Sequence, residues 1–153
     1  MPAGLHHVAF ACRDLEETHR FYGELLELPL IRTEVQPIPD GGALKHTFYD
    51  LGDGSCVAFF HLPGFEAAKT AISTDLDLPV WVNHLAIRVD EDQQTHLRGR
   101  LAEAGVPVLM DLDHDWCHSY YYVDPNGIMV ELCRDTTGFD PDEDEALRLM
   151  RQG

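Results

Sequence analysis

Residues 82–87, VNHLAI, nearly repeat residues 5–10, LHHVAF, and that repetition decides how the chain is read. His7 and His84 stand 77 residues apart, and at the same offset Ala9 meets Ala86, Thr18 meets Thr95 and His19 meets His96. Each stretch reads as a strand that runs into an acidic turn and then into helical spacing. RDLEETHRFYGELLEL (13–28) places Leu15, Phe21, Leu25 and Leu28 near one helical face, and EDQQTHLRGRLAEAG (91–105) does so with Leu97, Leu101 and Ala104 before Gly105 stops the helix. A second match, at an offset of 73, sets FYDLGDGSCVAFF (48–60) against YYVDPNGIMVELC (121–133). Both read as aromatic strand, tight turn and apolar strand, with Gly54 and Gly127 supplying the positive φ that such a turn commonly needs. With LPLIRTEVQPI (28–38) and GVPVLMDLD (105–113) as further strands, the order is βαβββ, twice.

A four-stranded unit covered by a helix on one face leaves its other face to be sheltered by a partner, so the two units are expected to pair. The prediction is an α+β fold in which two paired βαβββ modules form a cupped mixed sheet. Residues 1–135 then make one domain, with module one at about 4–62, a linker over 62–81 and module two at about 82–134. Residues 136–153 form an acidic helical tail, for which Asp140 is the expected cap and Pro141 the first helical position.

The 153 residues are 44% hydrophobic, as a globular chain requires, and carry a formal charge of −16. Such a field repels phosphate backbones and anionic lipid head groups, which argues against nucleic acid and membrane surfaces as partners. No apolar run approaches the roughly 18 residues needed to span a bilayer, and no basic-then-apolar leader opens the chain, so a cytoplasmic location is expected. Cys12, Cys56, Cys117 and Cys133 are scattered without a CxxC pair and read as buried, reduced thiols.

Strand side chains alternate between faces, so His7 and His84, equally placed on equivalent strands, both turn to the cup, while His6 turns the other way. Glu131 sits between Val130 and Leu132 in the last strand, where an ionised carboxylate is costly unless it is paired or bound to a cation. Two imidazoles and a carboxylate satisfy a divalent metal and leave positions open, which suits Fe(II) in oxygen-activating enzymes; Mn, Ni and Zn accept the same ligand types. Trp81, Phe48, Phe59, Phe60 and Trp116 are candidates for an apolar pocket wall.

At LHHVAFACRDLEETHRFYGELLELPL (5–30), VNHLAIRVD (82–90) and YYYVDPNGIMVELC (120–133) the sequence resembles the vicinal oxygen chelate superfamily. That superfamily includes glyoxalase I, the bleomycin-resistance proteins and the type I extradiol dioxygenases. The resemblance spans nearly all of residues 4–134 and implies a metal held by His7, His84 and Glu131. Glyoxalase-like members use a further acid in the first half, where this chain has Ala58; the extradiol enzymes use two His and one Glu, as here. The resemblance further implies that Tyr121 hydrogen-bonds the substrate, and that a second-sphere His acts as acid/base at the place held here by Ser55. His61, His46, His114 and His118 are possible substitutes, with His118, three residues before Tyr121 and expected to border the cup, the first choice. The expected activity is a metal-dependent, extradiol-type oxidoreductase acting on a small aromatic or vicinal-oxygen substrate with dioxygen, as a homodimer. A glyoxalase-like lyase or isomerase, and a bleomycin-resistance-type binding protein, are the alternatives.

Overall fold

Each half of the chain builds a four-stranded mixed sheet from the expected order of elements. The structure, a computed structural model, describes residues 3–39, 41–64 and 77–152. Module one comprises β1 (His7–Ala11), α1 (Leu15–His19, continued by Arg20–Leu25), β2 (Leu30–Pro37), β3 (Ala43–Asp50) and β4 (Cys56–His61). Module two comprises β5 (His84–Arg88), α2 (Glu91–Glu103), β6 (Met110–Asp113), β7 (Cys117–Val123) and β8 (Met129–Asp135), and the tail helix α3 (Glu143–Met150) follows. The strand orders are β1-β4-β3-β2 and β5-β8-β7-β6, with β1 parallel to β4, β5 parallel to β8 and the other pairs antiparallel. Most of the expected linker, residues 65–76, lies outside the described residues.

Local chemistry accounts for the helices. Asp14 accepts from the Glu17 amide at 2.8 Å to start α1, and Asp90 and Gln93 cap each other reciprocally at α2. The second half of α1 is wound wider, the Leu26 amide reaching back five residues to the Phe21 carbonyl. Gly23 suits that coil: a Cβ there would lie 2.5 Å from the His19 ring. Gly54 and Gly127 take the expected positive φ, 89° and 84°. In the tail the cap is Asp142, accepting from the Glu145 amide at 3.0 Å, and not Asp140; the first turn then gathers Glu143, Asp144 and Glu145 at the end that favours negative charge.

The hydrophobic core is continuous across both modules: Phe21, Tyr22 and Phe59 of the first pack in one cluster with Leu101, Val130 and Leu132 of the second. Reaching contacts tie the halves together. The Asp124-Pro125-Asn126-Gly127 turn of module two meets the start of the first helix, where the Arg13 amide donates to Asn126 Oδ1 at 2.9 Å and the Tyr22 hydroxyl donates to Asp124 Oδ2 at 3.0 Å. In return Arg100 of α2 donates to the Glu24 and Leu25 carbonyls at the end of the first helix. Gln94, buried beneath α2, donates to the carbonyls of His118 and Leu132 and so pins that helix on β7 and β8. No helix among the described residues is long and apolar enough to cross a membrane.

Candidate metal centre

The core takes one face of each sheet, so period-two alternation hands the opposite face to the candidate site residues. On module two, Val130, Leu132 and Tyr122 point into the core, while Glu131 and Tyr121, paired across β7 and β8, point the other way. Glu131 is 5% exposed. It accepts a hydrogen bond from Ser119 Oγ at 2.5 Å, and its other oxygen lies 3.0 Å from His84 Nε2.

The orientation of His84 makes this pair a test of metal fit. Its Nδ1 lies 2.8 Å from the Trp81 carbonyl, which can only accept, so Nδ1 carries a proton. In the neutral imidazole Nε2 is then a bare lone pair, facing a carboxylate oxygen that is also only an acceptor. Two acceptors at that separation need a proton or a cation between them, and a ring fixed by a carbonyl on its far nitrogen is the arrangement that orients a ligating histidine. The residues fit a divalent ion.

Around this pair stand two more polar groups. The Tyr121 hydroxyl lies 3.1 Å from His114 Nε2, and burial, reinforced by the nearby Glu131 charge, pushes the phenol up to about 12. His114 reaches it from the β6–β7 connection, where Asp115 takes a left-handed φ of 67° and the His114 amide donates to the Cys117 carbonyl. Among the described residues, ligating atoms of His114, Cys117 and Glu131 lie within 4.8 Å of one another. Sequence reasoning set Cys117 aside as a bland thiol and ranked His114 below His118. The available signal was the H-x-x-C spacing of residues 114–117 across a tight turn, with Cys117 in phase with Ser119 and Tyr121.

The placement expected for His118 is corrected. An odd separation from Tyr121 sends it to the opposite face, where its Nε2 lies 2.7 Å from Asp111 Oδ1 and its ring meets Tyr120 edge-on at 4.9 Å. It does not border the face that carries Glu131.

His7 lies on the corresponding face of module one, exposed, with its ring 5.6 Å from Phe48 and 6.1 Å from His46. Thus the chain brings His84 and Glu131 together and holds His7 on the other module. The pairing register matches the repeat: Ala9 faces Ala58 as Ala86 faces Glu131. The position equivalent to the acid is therefore a buried methyl group. His46 stacks on Phe60 at 3.6 Å, and its Nε2 is buried without a hydrogen-bond partner among the described residues. Burial lowers its pKa although Glu34 opposes the shift. Of the expected wall aromatics, Phe48 and Phe60 share this face, whereas Phe59 is turned into the core. Ser55 is buried and donates to Asp53.

The sequence profile described as the glyoxalase/bleomycin resistance protein/dioxygenase superfamily matches residues 4–132. The chain belongs to that superfamily. Solved structures share the fold at low identity. A glyoxylase/bleomycin resistance protein/dioxygenase domain from Frankia sp. EAN1pec is 20% identical, with a TM-score of 0.68 over 91% of this chain and 96% of its own. FosX, a fosfomycin resistance protein from Listeria monocytogenes, was solved as a mutant with Mn(II) and a dihydroxypropylphosphonic acid; it is 18% identical, with a TM-score of 0.62 over 96% and 99%. The oxidase ChaP-H2 is 24% identical, with a TM-score of 0.61 over 92% and 100%. Proteins of this fold thus include a metal-bound resistance protein and an oxidase.

Proposed function

We propose that this superfamily member is a metal-dependent oxidoreductase of the extradiol type, cleaving the ring of a small catechol-like substrate with dioxygen. His84 and Glu131 hold Fe(II), and His7 completes the set when the module-one face of a second copy closes over them in a homodimer. The observation that carries the reading is the solitary carboxylate. Glu131 has Ala58 as its counterpart, so the protein supplies three ligands and leaves room for two substrate oxygens and dioxygen. When bound, the ion supplies Lewis acidity toward the substrate hydroxyls and a route for electrons from the ring to oxygen.

The chain's own residues handle orientation and protons. A phenol pushed up to about 12 keeps its proton at neutral pH, so Tyr121 donates a hydrogen bond to a substrate oxygen and holds it near Glu131. His114, 3.1 Å from that phenol and partly exposed, takes up or returns a proton through it to solvent. On the facing module His46, kept neutral by its lowered pKa and with Nε2 lacking a partner among the described residues, is a base whose ring lies 6.1 Å from that of His7. Phe48 and Phe60 give the substrate ring an apolar wall.

The test is anaerobic loading with Fe(II), addition of a panel of catechols, then oxygen. A yellow ring-fission product with matching oxygen uptake is expected. Tight binding of Mn(II), Ni(II) or Zn(II) without oxygen uptake would instead make the protein a lyase or isomerase of the same superfamily. Failure to bind any metal, with catechol affinity unchanged in His7→Ala, would make it a binding protein.

A further inference from the structure

We propose that module two alone carries a second, thiolate-containing ligand set, His114, Cys117 and Glu131, that takes a borderline-soft divalent ion such as Zn(II). The set shares Glu131 with the pair described above but uses neither His7 nor dioxygen, so it stands or falls apart from the ring-cleaving reading.

Three observations carry it. First, the ligand types and their spread suit zinc: one imidazole nitrogen, one sulfur and one carboxylate oxygen lie within 4.8 Å of one another. Ligands at about 2.0–2.3 Å around a tetrahedral ion are separated by roughly 3.5 Å, so a shift of about 1 Å closes the set. His114, on the turn and only partly buried, is the member placed to make it, by giving up its contact with the Tyr121 hydroxyl.

Second, the backbone places these groups deliberately close. The left-handed Asp115 and the His114–Cys117 backbone bond form a tight H-x-x-C turn, and strand alternation then carries Cys117, Ser119 and Tyr121 onto the face of Glu131. Third, the sulfur and the carboxylate are shielded from water. Cys117 is fully buried, and its sulfur lies 3.7 Å from Ser119 Oγ, which itself donates to Glu131. The sulfur and the carboxylate are therefore joined through one hydroxyl, which can keep its bond to Glu131 after an ion arrives and serve as an outer support.

Binding exchanges one proton for the ion: the Cys117 S–H bond breaks, the proton leaves to solvent and a metal–sulfur bond forms. Since Glu131 serves both sets, an ion held by the thiolate excludes the His7-dependent mode. Zinc or a similar ion would thus act as a competitor for the proposed iron site.

Titration of the metal-free full chain with Co(II) under anaerobic conditions is the test. One cobalt per chain is expected, with the near-ultraviolet thiolate-to-cobalt charge-transfer band, in both the native chain and His7→Ala. Cys117→Ser should abolish the band, Cys133→Ser should keep it, and His114→Ala should weaken cobalt binding at least about tenfold. Because Cys117 is buried, its variant is read beside His114→Ala, whose side chain is partly exposed and whose fold is checked by circular dichroism. No charge-transfer band in the native chain, a band that survives Cys117→Ser, or a band lost in Cys133→Ser instead, would overturn the assignment. Loss of oxygen uptake in His7→Ala with the band intact would separate this site from the catalytic reading.

Discussion

The two modules share one frame and differ in nearly everything that frame displays. The repeat and the strand register place Ala58 against Glu131, Phe48 against Tyr121 and His46 against Ser119, yet His7 and His84 are kept in both. Module one therefore offers His7 and His46 on an aromatic floor, and module two His84 beside an acid and a phenol. Duplicated backbone geometry fixes where a side chain points; it does not fix its chemistry. The asymmetry leaves a single carboxylate at the centre of the candidate site.

The turns differ as much as the faces, and this gives the largest expected effect. Asp124 is buried and accepts from the Tyr22 hydroxyl and from the Asn126 and Ile128 amides, whereas Asp53 in the module-one turn is exposed. Asp124→Ala should cost about 2–4 kcal/mol in urea unfolding, because buried donors lose their acceptor; Asp53→Ala, which removes only the exposed acceptor of Ser55, should lower the midpoint far less. Their pH dependences should oppose each other. Burial raises the pKa of Asp124, so the folded state holds its proton more tightly and its contribution falls as pH rises from about 4. The Ser55 hydrogen bonds lower that of Asp53, whose contribution is present above its unfolded pKa and is lost as pH falls. Difference curves for Asp124→Asn and Asp53→Asn against the native chain would display the two signs.

Next in size is the acid. Glu131→Gln should keep the fold and weaken metal binding about a hundredfold by calorimetry, while Ala58→Glu in the other module should perturb the core that the methyl group fills. If Glu131→Gln unfolds the chain with or without metal, the carboxylate is structural. Tyr121→Phe should then slow turnover about tenfold to a hundredfold with little change in metal affinity, and Phe48→Tyr at the matching position should not restore it. The smallest effect belongs to His118→Ala, which should alter turnover less than about twofold, since the ring lies on the far side of the sheet. A larger loss would place His118 back in the chemistry.

Much of this was legible because strands and repeats are periodic. Alternation put His7 and His84 on the faces away from the core, and the two offsets recovered the βαβββ order of elements in both modules. What escaped depended on backbone that breaks the period. The left-handed Asp115 folds His114 back toward Tyr121, something no strand-phase argument anticipates. His118 was misplaced by ignoring that same phase, since three residues along a strand reverse the side. The wide coil of Arg20–Leu25 has its sequence mark in Gly23, whose lack of a Cβ matters only once the His19 ring is known to lie beside it. Asp140 and Asp142 are both plausible caps by composition, and only the amide of Glu145 chooses between them.

The turn that crosses from one module to the other has a consequence for how the polypeptide could be divided. Thr18 and Tyr22 are buried against Asn126 and Asp124, so neither half presents a finished surface when made by itself. Two separately expressed fragments, residues 1–64 and 77–153, should each be poorly ordered and should assemble into one unit on mixing, with Asp124→Ala in the second fragment enough to prevent the reassembly.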